Sequence, residues 1–124
     1  MGFATLSVTA IDCPEPLELA EFYAAVLGGE VRSDPDDDGE WVDLYLPGGQ
    51  RLAFQRAPGL RAPEWPRADR NSQQFHLDLD VQDLDAAEEQ VLALGAKALD
   101  ADDRTRSWRV YADPAGHPFC LCRA

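Results

Sequence analysis

Phe75-His76-Leu77-Asp78-Leu79-Asp80-Val81 alternates without a break between apolar and polar residues. Successive side chains of an extended strand point to opposite faces, so Phe75, Leu77, Leu79 and Val81 share one face and His76, Asp78 and Asp80 the other. An imidazole and two carboxylates therefore lie back to back with an apolar surface. Directly after this strand Asp83 is a helix N-cap by residue type. Leu84, Ala87, Val91 and Leu94 then recur at helical spacing, and Gly95 ends the run. A short strand over 97–99, an acidic turn over 100–103, a strand over 107–112, the turn Asp113-Pro114-Ala115-Gly116 and a last strand over 118–122 complete the half.

The first half carries the same order. Across residues 3–11, Leu6, Val8 and Ala10 alternate with Thr5, Ser7 and Thr9, which predicts a half-buried strand with a small polar face. Asp12-Cys13-Pro14-Glu15-Pro16 ends that pattern. Pro16 suits a first helical turn, and Leu19, Tyr23, Val26 and Leu27 lie at helical spacing before Gly28-Gly29. A short strand at 30–32, the acidic turn Asp34-Pro35-Asp36-Asp37-Asp38-Gly39, a strand over 41–46, the turn Pro47-Gly48-Gly49 and a strand over 51–56 follow.

At an offset of 67 residues Leu27-Gly28 falls on Leu94-Gly95, Trp41 on Trp108, Pro47 on Pro114, Gly49 on Gly116 and Phe54 on Leu121. A unit that cannot bury its sheet face alone pairs with a copy of itself, so the expectation is one domain over 1–124. Its internal repeat spans 1–56 and 74–124, joined by an irregular crossing loop, 57–73, that holds Pro58, Gly59, Pro63 and Pro66. Trp65 in that loop either staples it to the core or stands at the mouth of a pocket.

The repeat, the helix Leu19-Ala20-Glu21-Phe22-Tyr23-Ala24-Ala25-Val26-Leu27-Gly28, the turn Asp113-Pro114-Ala115-Gly116 and the segment His76-Leu77-Asp78-Leu79-Asp80-Val81 resemble the vicinal oxygen chelate superfamily. That superfamily includes glyoxalase I, bleomycin- and fosfomycin-resistance proteins and extradiol dioxygenases. More narrowly, the chain is similar to small glyoxalase-like domains of high-GC bacteria. The resemblance covers nearly the whole chain. It implies an α+β fold of two paired βαβββ units whose curved sheets wrap a cavity, often in a homodimer.

The resemblance also implies where a divalent ion would sit: one side chain from the first strand of each unit and one from the last. Those positions are Thr5 and His76, then Gln55 (with Ala53 as the other register) and Cys120. Only His76 keeps the family's ligand type. A hard cation wants anionic oxygen or imidazole, which a threonine hydroxyl and an amide oxygen do not replace. No carboxylate stands there to shuttle a proton, so ordinary glyoxalase I chemistry is not expected.

The resulting expectation is a small-molecule-binding domain without a metal cofactor, of which antibiotic binding is one form. Thr5, Ser7, Gln55, His76, Asp78 and Cys120 would line its site with Trp41 or Trp108 in the wall. A metal-dependent lyase, isomerase or dioxygenase holding its ion with His76, Gln55, Cys120 and Thr5 is the enzymatic alternative. A regulatory or interaction module without a small ligand is the third. Asp78 and Asp80 read either as an acid-base pair or as a wet strand rim, and His117 as a surface turn residue.

The net charge of −12, from 23 acidic and 11 basic residues, opposes binding to a phosphate backbone. No apolar stretch is long enough to span a membrane, and no N-terminal signal pattern is present, so a cytoplasmic protein is expected. Cys13, Cys120 and Cys122 lack disulfide-framework spacing and read as reduced thiols, the last two on one face of a strand.

Overall fold

The computed structural model describes residues 2–65 and 69–124, so Pro66 of the expected crossing loop lies outside the described residues. The chain forms two compact units, one ending at Leu60 and the other beginning at Arg61. The first consists of β1 (Thr9–Cys13), α1 (Pro16–Leu27), β2 (Glu30–Ser33), β3 (Trp41–Tyr45) and β4 (Arg51–Arg56), with sheet order β1-β4-β3-β2. The second consists of β5 (Leu77–Val81), α2 (Leu84–Ala93), β6 (Lys97–Asp100), β7 (Trp108–Ala112) and β8 (Pro118–Arg123), with sheet order β5-β8-β7-β6. In each sheet the first strand runs parallel to the last, and the other pairs are antiparallel. The fold is the α+β, twice-βαβββ arrangement expected from the sequence.

Pro16 opens α1, where a missing N–H costs nothing, and Gly28 closes it at a φ of 79°. The helix buries Leu19, Phe22 and Tyr23. Tyr23 stacks on Phe54 of β4 at 5.9 Å between centroids, and Phe22 meets Tyr23 edge-on at 5.0 Å. The next residue, Gly29, has a φ of 101° and lies so close to the Tyr45 carbonyl that a side chain there would collide with it. In the second unit the Asp83 carboxylate accepts from Ala86 N at 3.1 Å, capping α2, which packs on β8. Beneath it Tyr111 stacks on Phe119 at 5.8 Å, and Phe119 and Leu121 are buried.

The first strand differs from the expectation. It covers Thr9–Cys13 rather than 3–11, and Leu6 and Ala10 are exposed while Cys13 is buried. The physical reason lies in its partner. β4 begins at Arg51, and Thr9 already pairs with Leu52, so little of β4 remains for the residues before Thr9 to pair with. Alternation alone could not reveal that limit, because a strand needs a neighbour for its backbone groups.

Pairing shifts the register of the repeat by one residue at its first strands alone. Trp41 opposite Gln55 corresponds to Trp108 opposite Cys122, an offset of 67. At the parallel pairs, however, Thr9 opposite Leu52 corresponds to Leu77 opposite Phe119, an offset of 68 for β1 against β5. The counterpart of His76 is therefore Val8 rather than Thr5, while the offset of 67 at the last strands sets Cys120 against Ala53, the other register named from sequence, and Cys122 against Gln55.

Candidate functional site

The β5·β8 register sets Asp78 beside Cys120 and Asp80 beside Cys122, and the antiparallel β7·β8 register sets Trp108 beside Cys122. The pleat turns these residues to the face opposite the apolar side chains Phe119 and Leu121. Here a cleft of about 300 Å³ is lined by Trp65, His76, Asp78, Ser107, Trp108, Cys120, Cys122 and Arg123. Of the residues named from sequence, His76, Asp78, Trp108 and Cys120 are thus brought together.

Trp65 forms one side of the cleft. Its indole stacks on the His76 imidazole at 5.1 Å between centroids and 19° between planes. The segment that carries it is anchored: Asn71, at a φ of 47°, donates from Nδ2 to the Ala62 carbonyl at 2.6 Å, and Glu64 N donates to the Asn71 carbonyl at 2.9 Å. Ala62 in turn rests against Gly116 of the β7–β8 turn, where a Cβ would come within 2.5 Å of the Ala62 methyl. That turn is held by the Asp113 carboxylate, which accepts from Ala115 N at 2.9 Å and His117 N at 3.0 Å.

On the other side, Trp108 is 39% exposed, unusual for so large an apolar surface. Arg106 covers one of its faces, with its guanidinium 3.8 Å from the ring centroid, and is held there by the Asp100 carboxylate at 3.1 Å. His76 Nε2 lies 3.1 Å from Asp78 Oδ1, which orients the imidazole. The His76 and Asp78 donors and the Cys120 sulfur all lie within 4.8 Å of one another.

Both thiols of the cleft are held above the ordinary thiol value. Burial pushes Cys120 up to about 12, and the adjacent Asp78 carboxylate acts in the same direction. Cys122 is raised by burial first and then by Asp78 and Asp80. Against an ordinary value of 9.0, Cys120 at pH 8 holds roughly a thousandfold less thiolate. Iodoacetamide should therefore modify Cys120 about a thousandfold more slowly than the urea-unfolded chain, rising roughly tenfold per pH unit up to about pH 11. Mass-spectrometric time courses check this, and labelling of Cys120 at the unfolded rate would contradict it.

The remaining sequence candidates belong to the first unit. Thr5 and Gln55 are exposed. Ser7 accepts from Arg51 Nη2 at 2.9 Å, while Arg51 Nη1 donates to the Tyr45 hydroxyl at 3.0 Å. The half-buried Trp41 donates from Nε1 to Asp43 at 3.1 Å. The first unit's counterparts of His76, Asp78 and Cys120 are Val8, Ala10 and Ala53, three aliphatic side chains. The family's hard divalent ion, drawn from both units, therefore finds no donors at the matching positions of the first, and a cysteine in place of a carboxylate in the second. These residues do not fit that ion.

Ser107, Cys122 and Arg123 were not among the candidates. Cys122 was within reach of sequence reasoning, since it shares a strand face with Cys120. Ser107 and Arg123 come together through a hydrogen bond from Arg123 N to the Ser107 carbonyl at 2.8 Å, a pairing no local pattern announces.

The two βαβββ units define a protein of the vicinal oxygen chelate superfamily. Residues 8–122 match the family model for the glyoxalase-like domain, and the chain belongs to that family. Comparison with curated proteins gives no match. Among solved structures, a glyoxalase/bleomycin resistance protein/dioxygenase family enzyme from Burkholderia phytofirmans PsJN is 18% identical over 97% of this chain and 98% of that one, at a TM-score of 0.72. The genomically encoded fosfomycin resistance protein FosX from Listeria monocytogenes is 14% identical over 99% and 93%, at 0.69. TnmS3, an antibiotic binding protein from Streptomyces sp. CB03234, is 18% identical over 99% and 98%, at 0.63. At these identities the likeness is one of fold. No helix among the described residues is long and apolar enough to cross a membrane.

Proposed function

We propose that this chain binds a small, partly aromatic molecule in the cleft between Trp65 and Trp108, without the hard divalent ion of its family. The observation that carries this reading is the Trp65 indole held parallel to His76 at the edge of a cleft of about 300 Å³. An indole fixed at that place offers a flat apolar face at little entropic cost, and His76, Asp78 and Ser107 supply the polar contacts that orient a ligand. An antibiotic-binding or resistance role falls within this class, as the printed descriptions of FosX and TnmS3 suggest by analogy. A cytoplasmic homodimer belongs to the same reading.

The test is a melting-temperature screen against metabolites and antibiotics. A ligand at a hundred times its Kd stabilises the folded chain by about 2.7 kcal/mol, a rise of several degrees. No saturable rise with any member of a broad panel would count against the proposal. A second reading, metal-dependent lyase, isomerase or dioxygenase chemistry, is favoured by one observation, the convergence of His76, Asp78 and Cys120. Metal that co-purifies in near-equimolar amount and supports turnover would favour it.

A further inference from the structure

Charge divides unevenly over the cleft face of the second unit. Asp78 and Asp80 point to that face from β5, beside Cys120 and Cys122 of β8. Asp78 meets His76 at 3.1 Å yet keeps 61% of its side chain exposed, so its carboxylate stays open to a second partner. The cations at the cleft are turned away or engaged. Arg123 lines it at the end of β8, but the pleat sends its side chain to the face of Leu121, opposite Cys122. Arg106 is bound by the Asp100 carboxylate through Nη1 at 3.2 Å and Nη2 at 3.1 Å. The thiols report the resulting field. After burial, Asp78 opposes a thiolate at Cys120, and Asp78 and Asp80 oppose one at Cys122. For a positive group the carboxylate part of that effect changes sign and becomes attraction.

The indoles add to that attraction. The face of an indole draws a cation, as Arg106 already shows on Trp108, its guanidinium 3.8 Å from the ring centroid. We infer that the molecule taken by this cleft is an organic cation, an aromatic group carrying an alkylammonium, with its nitrogen at Asp78 and its ring against Trp65 and Trp108. This rests on the ligand reading above and adds to it the sign of the ligand's charge. The chain's net charge of −12 works in the same direction at low ionic strength, by concentrating cations around the whole molecule. Because Asp78 is largely exposed, water and salt screen it, so the preference for a cation is about tenfold rather than thousands.

Three probes of nearly one shape separate charge from shape: naphthylmethylamine, positive at neutral pH, naphthylmethanol, neutral, and naphthoate, negative. Each is titrated calorimetrically into the full-length chain at low salt. The expected result is that the amine saturates at about one equivalent and binds about tenfold more tightly than the alcohol, with naphthoate weakest. Raising the salt to about 0.5 M should close most of that gap. Asp78→Asn, which keeps the side chain's shape at an exposed position, should cost the amine about tenfold and the alcohol less than about threefold, with melting curves confirming that the variant is folded. Equal affinities for the three probes, or an Asp78→Asn variant that weakens amine and alcohol alike, would overturn the inference. Alcohol or naphthoate binding that is lost in Trp65→Ala would then retain the ligand reading while rejecting this one. No binding by any of the three also rejects it, and a saturable hit elsewhere in the melting screen would still support the ligand reading.

Discussion

Trp65→Ala should weaken binding of any ligand that stabilises this chain by roughly 30- to 1000-fold, the scale set by losing a central aromatic anchor worth about 2–4 kcal/mol. Melting of the unliganded protein should move by only a few degrees, because Trp65 is half-buried in an irregular segment rather than packed in the core. The two readouts separate binding from stability. Trp65→Phe, which keeps a flat apolar ring, should recover most of the affinity. The reason for expecting so large an effect is preorganisation. Asn71 and the Ala62–Gly116 contact hold the segment, so the indole meets a ligand without first having to be ordered. Calorimetric titration of the two variants checks this. An unchanged Kd in Trp65→Ala would mean that the ligand sits elsewhere.

How much of this was legible in the sequence depended on how local each signal is. β4 falls on the predicted 51–56, and Gly28 and Gly95 close their helices, because turn chemistry and helical spacing are written within a few residues. The alternation of β5 carries through from Leu77, with Leu77, Leu79 and Val81 half-buried and Asp78 and Asp80 exposed, whereas Phe75, placed on the apolar face from sequence, precedes the strand and is exposed. β1 was misread because its extent is set by β4, some forty residues away. Its polar alternation over 3–8 mimics a strand that has too little partner.

The site shows the same division. His76, Asp78, Trp108 and Cys120 lie on adjoining strands of one sheet, so period-two alternation within each strand placed them on one face. The offset of 67 sets His76 on Thr9 and Cys120 on Ala53, so Thr5 and Gln55 are not the partners that the repeat itself assigns. Its landmarks are glycines, prolines and tryptophans of the helix ends and hairpins, which share the offset of 67. β1 and β5 follow the offset of 68, and the difference falls between the start and the end of helices of 12 and 10 residues. A slip of one residue exchanges the two faces of a strand, which is why so small a change decides whether a donor or an aliphatic side chain stands opposite the last strand.

Arg109→Ala should destabilise the second unit by about 3 kcal/mol without touching the cleft, since alternation along β7 turns Arg109 away from the face that Trp108 shares with Cys122. Arg109 is 3% exposed, the most deeply placed cation among the described residues. It donates from Nη2 to Asp85 at 2.8 Å, and Nη1 lies 3.7 Å from Glu88. Glu88 also accepts from Arg104 at 3.0 Å and from the Tyr111 hydroxyl at 2.7 Å. The network ties α2 to β7. Removing Arg109 leaves Glu88, mostly buried, with one cation fewer, and opens a void under the helix. Both carboxylates sit below their ordinary values: Glu88 chiefly through its hydrogen bond from Arg104, and Asp85 through its bond from Arg109. A depressed carboxylate contributes fully above its unfolded value, 4.5 for Glu88 and 3.8 for Asp85, and that contribution is lost as the pH falls through the lower folded value. The wild-type chain should therefore lose stability steeply below about pH 4.5, and Arg109→Ala should show a shallower loss over the same range. Arg109→Met with Glu88→Gln, which fills the space and removes the stranded charge, should recover part of the neutral-pH deficit. Urea unfolding from pH 3 to 7 reads all three. A cost below about 1 kcal/mol for Arg109→Ala, with an unaltered acid limb, would mean that apolar packing of Leu84 and Val91, rather than this network, fixes α2 to its sheet.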